Sequence, residues 1–119
     1  MAILNIGRDF SPDPAGRYRA DGNASGEAFR EDCLKPALLG LKTGETLQIV
    51  IDDGVEGYGS SFLVEGFAGL VKHGYIQAED LLAKIDIIFS DPDFEFYKKK
   101  IISYIREARF NSEIYSPSR

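Results

Sequence analysis

Apolar and polar residues follow two rhythms along this chain. Short apolar runs stand at Ala2–Ile6, Thr46–Asp52 and Ile85–Ser90. The last two are rich in β-branched residues, and all are bounded by turn formers, which predicts strands. "TLQIVID" is apolar on both parities, as expected of a strand covered on both faces. Between these runs the spacing becomes helical. Phe29, Cys33, Leu34, Ala37, Leu38 and Leu41 mark one helix, with Ser25 placed to cap it and Glu27 at the positive end of its dipole. Pro36 lies inside that pattern and predicts a kink or an ending. In "SSFLVEGFAGLVKH", Ser60 to His73, apolar residues cover most of the helix circumference, so this helix is deeply buried or covered by a partner. Gly66 and Gly69 each cost about 1 kcal/mol relative to alanine in a helix. Their presence points to close approach of another backbone. "GYIQAEDLLAK" predicts a turn and a short helix. Asp91 and Pro92 mark the cap and first position of a last helix. Its inward stripe is Phe94, Tyr97, Ile101, Tyr104, Ile105 and Ala108. A further short strand is expected around Arg17–Ala20, inside a loop rich in Gly, Pro, Asp and Ser.

The order is β(β)αβα(α)βα, which predicts an α/β fold. Its sheet is mostly parallel and four-stranded (mixed), with right-handed crossovers and helices packed on it. One domain, 1–119, is expected, with 110–119 as a frayed tail. In open parallel sheets ligands sit beyond the carboxyl ends of the strands. The loop Asp52–Ser61 lies at one such end.

Charge narrows the function classes. The net charge of −5 argues against a general grip on nucleic acid, which needs a basic stripe. Lys98–Lys100 reads as a solvated helix face. No apolar run reaches membrane-spanning length, and "MAILNIGRDF" has no signal-peptide pattern, so no membrane contact and a cytoplasmic location are expected. The single cysteine, Cys33, allows no internal disulfide and no multi-cysteine metal site. It reads as a partly buried thiol on a helix. No cofactor is expected.

The serine loop, "DDGVEGYGSSF", decides the chemistry. A phosphate-binding loop of the NTPase kind needs a lysine that is absent here. A nucleophile elbow needs glycines two residues before and after its serine, and neither Ser60 nor Ser61 meets that. His73 is about three helical turns from the helix start. No acid–base pair at suitable spacing can be named, so the chain does not read as an enzyme. Asp52, Asp53 and Glu56 are too few for a metal assignment; strand-to-helix turns often carry Asp for local hydrogen bonds. Two compatible readings remain. Ser60 caps the helix with Ser61 in its first turn, or one hydroxyl is presented to a phosphoryl group, an anion or a partner at the helix N-terminus. Gly54, Gly57 and Gly59 keep the approach open. Arg17, Arg19 and Arg30 are counter-charges if the first loop folds over the same strand ends. Arg30 can instead pair with Glu27 along its helix.

Two segments, "GRYRADGNASGEAFR" and "IDDGVEGYGSSFLVEGFAGLV", carry a resemblance. Asp21–Gly22, Ser25–Arg30 and Gly57–Leu63 within them resemble the bacterial STAS-like domain family of unknown function, over roughly Arg8 to Tyr104. The resemblance implies a small αβ domain with a regulatory role, distantly related to anti-sigma-factor antagonists and to the cytoplasmic STAS domains of anion transporters. It implies a histidine-kinase-like ATPase or an anti-sigma-like protein as partner. It also implies phosphorylation of Ser60 or Ser61, which stand where the antagonists carry their modified serine.

The expected function is a non-enzymatic regulatory protein-interaction module. Its surface would comprise Asp53, Gly54, Gly57, Tyr58, Gly59, Ser60, Ser61 and Phe62, with Arg17, Asp21 and Arg30 alongside. The alternative is a nucleotide or small-anion sensor using the same glycine loop and a first-loop arginine. A third expectation is a homodimer through the apolar face of Phe62–Val71.

Overall fold

The computed structural model describes residues 2–117. Three strands, β1 (Ala2–Asn5), β2 (Leu47–Val50) and β3 (Ile85–Ile88), pair in parallel in the order β1-β2-β3. In register, Leu4, Ile49 and Ile87 form one row across the sheet, and all three are buried. The sheet is therefore three-stranded and wholly parallel, not four-stranded and mixed. The expected strand at Arg17–Ala20 is absent. The Asp21 carboxylate accepts from the Arg17 amide (3.1 Å) and the Tyr18 amide (2.9 Å), which curls the chain into a single 3₁₀ turn at Arg19–Asp21. β2 is also covered on one face only: Leu47 and Ile49 are buried, while Gln48 and Val50 are half-buried.

The first helix spans 26–39. The Ser25 hydroxyl caps it, accepting from the Ala28 amide at 3.1 Å. Its central turn, Arg30–Leu34, is π-wound, and the Lys35 amide bonds back to the Arg30 carbonyl. This wide turn lies directly before Pro36, whose ring would otherwise crowd the carbonyl four residues back. The helix ends at Leu39, one turn on.

The second helix, 60–72, also contains a π turn, Val64–Ala68. It lies in the middle of the helical layer, touching the first helix on one side and the last on the other. Phe62, Leu63, Phe67, Ala68, Leu70 and Val71 are all buried within the chain itself. That burial removes the free surface through which a Phe62–Val71 homodimer would form. Gly26 and Gly66 allow the first two helices to touch. A Cβ at Gly26 would meet the Phe62 carbonyl oxygen at 2.7 Å, and one at Gly66 would meet the Phe29 ring at 3.1 Å. Gly69 makes room for something else: the guanidinium of Arg30, 2.6 Å from where a Cβ would stand. Phe29 packs its ring on Phe62 and Phe67 at centroid distances of 5.6 and 5.4 Å, closing the aromatic centre of the core.

A short helix, Ala78–Lys84, leads into β3. The Asp91 carboxylate then accepts from the Asp93 amide at 3.0 Å, Pro92 opens a 3₁₀ turn, and the last helix runs Glu95–Glu107. Phe94, Ile101 and Ile105 are the buried residues of its stripe. The following segment, expected as a frayed tail, turns back onto helix 60–72. The Asn111 amide donates to the Val71 carbonyl and the Glu113 amide to the Lys72 carbonyl, both at 2.9 Å. Among the described residues no helix is long and apolar enough to cross a membrane.

Candidate functional site

Two aspartates at the carboxyl end of β2 tie the three strand ends together. The Asp52 carboxylate accepts from the amides of Ser90 (2.6 Å) and Asp91 (2.8 Å), beyond β3. The Asp53 carboxylate accepts from the Asn5 side-chain amide at 2.8 Å and pairs with Arg8 at 2.9 Å, beyond β1. A Cβ on Gly7 would stand 1.8 Å from the Asp53 carbonyl oxygen, so the first and second loops are in backbone contact. These carboxylates are bound to amides and to Arg8. Among the described residues no group of three His, Cys, Asp or Glu side chains is placed to hold a metal ion.

From Asp53 the chain turns at Gly54, whose φ of 79° is left-handed. Tyr58 then anchors the loop. Its hydroxyl donates to the Ile51 carbonyl at 2.6 Å, its ring stacks on Phe62 at 5.7 Å, and it meets Tyr97 edge-on at 5.5 Å. Burial, with Asp52 and Tyr97 adding to it, pushes the Tyr58 phenol up, so it stays a neutral donor. Gly57 is held close: a Cβ there would stand 2.6 Å from the Tyr97 hydroxyl. Gly59, with extended backbone, is the N-cap of helix 60–72, and among the described residues no side chain caps the helix start. The expected cap by Ser60 is therefore not formed, because Ser60 sits one residue too far along. Its side chain is exposed and makes no hydrogen bond among the described residues. Ser61 is half-buried.

Ser60 lines a groove of about 260 Å³ together with Tyr58, Leu63, Phe96, Tyr97, Lys100 and Tyr104. Phe96 is 59% exposed. The Lys100 ammonium lies 5.4 Å from the Phe96 ring centre and makes no ion pair among the described residues. The groove is thus aromatic along one wall, carries the Lys100 ammonium, and opens at a helix N-terminus with an exposed hydroxyl. Its far wall, on the last helix, was not foreseen. The signal was faint: in "DFEFYKKK", Phe96 falls off the inward stripe and belongs to the surface. Arg8, which faces the glycine loop, was also missed.

Other expected site residues lie elsewhere. Arg17 and Asp21 are exposed in the first loop, where the Asp21 carboxylate closes the turn. Phe62 is fully buried and offers a partner no surface. Arg30 is fully buried too, and it is the centre of a second polar region. Its Nε donates to Glu31 at 2.7 Å; Nη1 donates to the Glu65 carboxylate at 2.6 Å and the Glu65 carbonyl at 2.9 Å. Burial works against its charge, but the bonds to Glu31 and Glu65 outweigh it and raise the guanidinium pKa. Nη2 is buried and finds no hydrogen-bond partner among the described residues, and the Tyr115 ring lies 4.9 Å from the guanidinium carbon.

Around this centre stand His73, with Nε2 3.3 Å from the Glu65 carboxylate, and Tyr75, whose hydroxyl donates to Glu31 at 3.1 Å. The Tyr115 hydroxyl donates to Glu27 at 2.6 Å, and burial together with that bond pushes the phenol up to about 12. Glu27, expected as the helical partner of Arg30, instead accepts from Tyr115 and from the Arg19 amide at 2.9 Å. Arg19 itself forks onto Asp32 with bonds of 2.9 and 2.8 Å. The Cys33 thiol is half-buried, and burial pushes it up, as do Asp32 and Asp9.

Comparison of the chain with family models, with curated proteins and with solved structures found no match.

Proposed function

We propose that this chain is a non-enzymatic regulatory module of the STAS-like kind that binds a protein partner through the groove around Ser60. The partner class is a histidine-kinase-like ATPase or an anti-sigma-like protein, and Ser60 is the residue it modifies. One observation carries the reading. Among the described residues the hydroxyl of Ser60, at the first position of helix 60–72, is exposed and makes no hydrogen bond, and it lies beside an exposed Phe96 and a Lys100 that makes no ion pair. A serine kept only for the fold would be expected to cap the helix, and here Gly59 holds that position. Exposure favours Ser60 over Ser61 as the acceptor.

The switch is electrostatic. A phosphate on Ser60 adds about −1.5 to −2 charge at the helix N-terminus, where the dipole and Lys100 both stabilise it. Lys100 is then drawn to the phosphate and lost to the partner, and an acidic partner surface is repelled. The sensor alternative loses one of its arginines, since Arg30 is held by Glu31 and Glu65.

The test compares tagged wild type, Ser60→Ala and Ser60→Asp recovered from native cells, with the co-purifying ATPase quantified. The acidic variant should retain about tenfold less partner than the alanine variant, a difference of about 1.4 kcal/mol. Equal retention by the two variants would count against the switch.

A further inference from the structure

A second concavity lies at the other end of the strands from Ser60. Ser60 follows the carboxyl end of β2, whereas Lys84 stands directly before the first residue of β3. There Lys84 meets the ends of helix 26–39 and of helix 60–72 around a cavity of about 360 Å³. That volume falls in the ordinary range of small-molecule sites, about 300–1,000 Å³.

The walls are apolar. Leu70, only 1% exposed, joins the cavity to the core, and Leu38 and Ile76 are half-buried beside it. Leu39, the last residue of its helix, is 77% exposed. A lone exposed leucine needs no explanation. One that also lines an apolar hollow is surface that a ligand removes from water.

The charged groups are all of one sign. Among the described residues no carboxylate lines the cavity, and the two charged side chains that do are Lys35 and Lys84. They differ in how far they are already engaged. The Lys35 ammonium lies 4.0 Å from the centre of the Tyr75 ring and 3.8 Å from the Glu31 carboxylate. Glu31 also accepts from the Tyr75 hydroxyl and from Arg30. These contacts hold the Tyr75 ring in place as a wall, so the hollow is arranged before any ligand arrives. Lys84 is exposed and makes no ion pair among the described residues. One uncommitted ammonium beside a preformed apolar hollow matches one singly charged anion with an apolar body.

We infer that this cavity binds a small amphipathic monocarboxylate, of the medium-chain fatty acid class, with its alkyl chain against Leu38, Leu39 and Ile76 and its carboxylate on Lys84. An alkyl ammonium would be repelled by both lysines, and a neutral chain would leave Lys84 without a counterpart. The site shares no residue with the Ser60 groove and does not depend on modification of Ser60.

The test titrates the full chain with hexanoate, octanoate and octanol, each below its micelle concentration, and follows backbone amides by two-dimensional NMR. Octanoate should give saturable shifts centred on Leu39, Ile76 and Lys84. Burial of each further methylene should tighten binding about fourfold, so octanoate should bind roughly 15-fold more tightly than hexanoate. Octanol should bind about threefold or more weaker than octanoate. Lys84→Glu, at an exposed position, should weaken octanoate about fivefold or more while octanol still binds, which also shows that the variant keeps its fold. No saturable shift up to about 10 mM octanoate, or shifts centred away from the cavity, would overturn the inference. So would equal affinities for hexanoate and octanoate, octanol as tight as octanoate, or an octanoate affinity unchanged in Lys84→Glu.

Discussion

Helix 60–72 links two polar regions that obey opposite rules. At its first turn Ser60 is exposed and, among the described residues, unbonded, in a groove open to solvent. One turn further on, Glu65 accepts from an arginine with no exposed surface, which also binds Glu31 and lies under Tyr115. The first region costs the fold little, so its residues are free to serve a partner. In the second, charges are held out of water, and each is tolerable only because its counterpart is in place. An arginine in a motif is therefore no guide to ligand binding until its surroundings are known. Arg30 was a candidate for an anion, and it is the ionic centre of the core.

The largest effect should come from breaking the buried region. Arg30→Met leaves the buried Glu65 carboxylate without its arginine, and Glu31 with only Lys35 at 3.8 Å, and should lower unfolding free energy by about 3–5 kcal/mol in denaturant titration. Adding Glu65→Leu to it should restore part of that loss, because both charges are then gone from that contact. Next comes the helix contact. A methyl group at Gly26 meets backbone atoms of Phe62 and Gly66 that have little room to yield, so Gly26→Ala should cost about 1–3 kcal/mol.

Tyr115→Phe removes one bond to Glu27 while keeping the ring, and should cost about 1 kcal/mol. It also has a pH signature. Burial opposes the charge on Glu27, yet the bonds from Tyr115 and Arg19 outweigh it and hold that carboxyl below its usual value. A carboxyl depressed in the folded state stabilises fully above its unfolded value, about 4.3, and the contribution is lost as pH falls through the lower folded value. Stability curves between neutral pH and pH 3 should therefore slope downward on acidification, and less steeply in Tyr115→Phe.

The smallest effect belongs to the open region. Ser60→Ala should change stability by no more than about 0.5 kcal/mol. Ser60→Asp should raise it by about 0.3–1 kcal/mol through the helix dipole. A large loss in either variant would mean that Ser60 supports the fold, and the contrast between the regions would collapse.

What could be read from the residues follows the same division. Local signals survived: the cap at Ser25, the Asp91–Pro92 start and, apart from the strand expected at Arg17–Ala20, the order of strands and helices all depend on neighbours in sequence. Non-local pairings did not. "RYRA" alternates like a strand, but nothing in the segment shows that the Asp21 side chain will take its amides. Spacing pairs Arg30 with Glu27, three residues back, whereas its shortest contact lies 35 residues ahead. The Ser60 loop was legible because its turn is local. The groove beside it was not, because Phe96 and Lys100 arrive from the last helix.

The central claim is that Ser60 is a phosphate acceptor, and intact-mass measurement tests it most directly. The chain, incubated with ATP and a histidine-kinase-like ATPase from the same cells, should gain the mass of one phosphate, mapped by fragmentation to Ser60 and absent in Ser60→Ala. No gain in mass, or a phosphate placed only on another residue, would contradict the account.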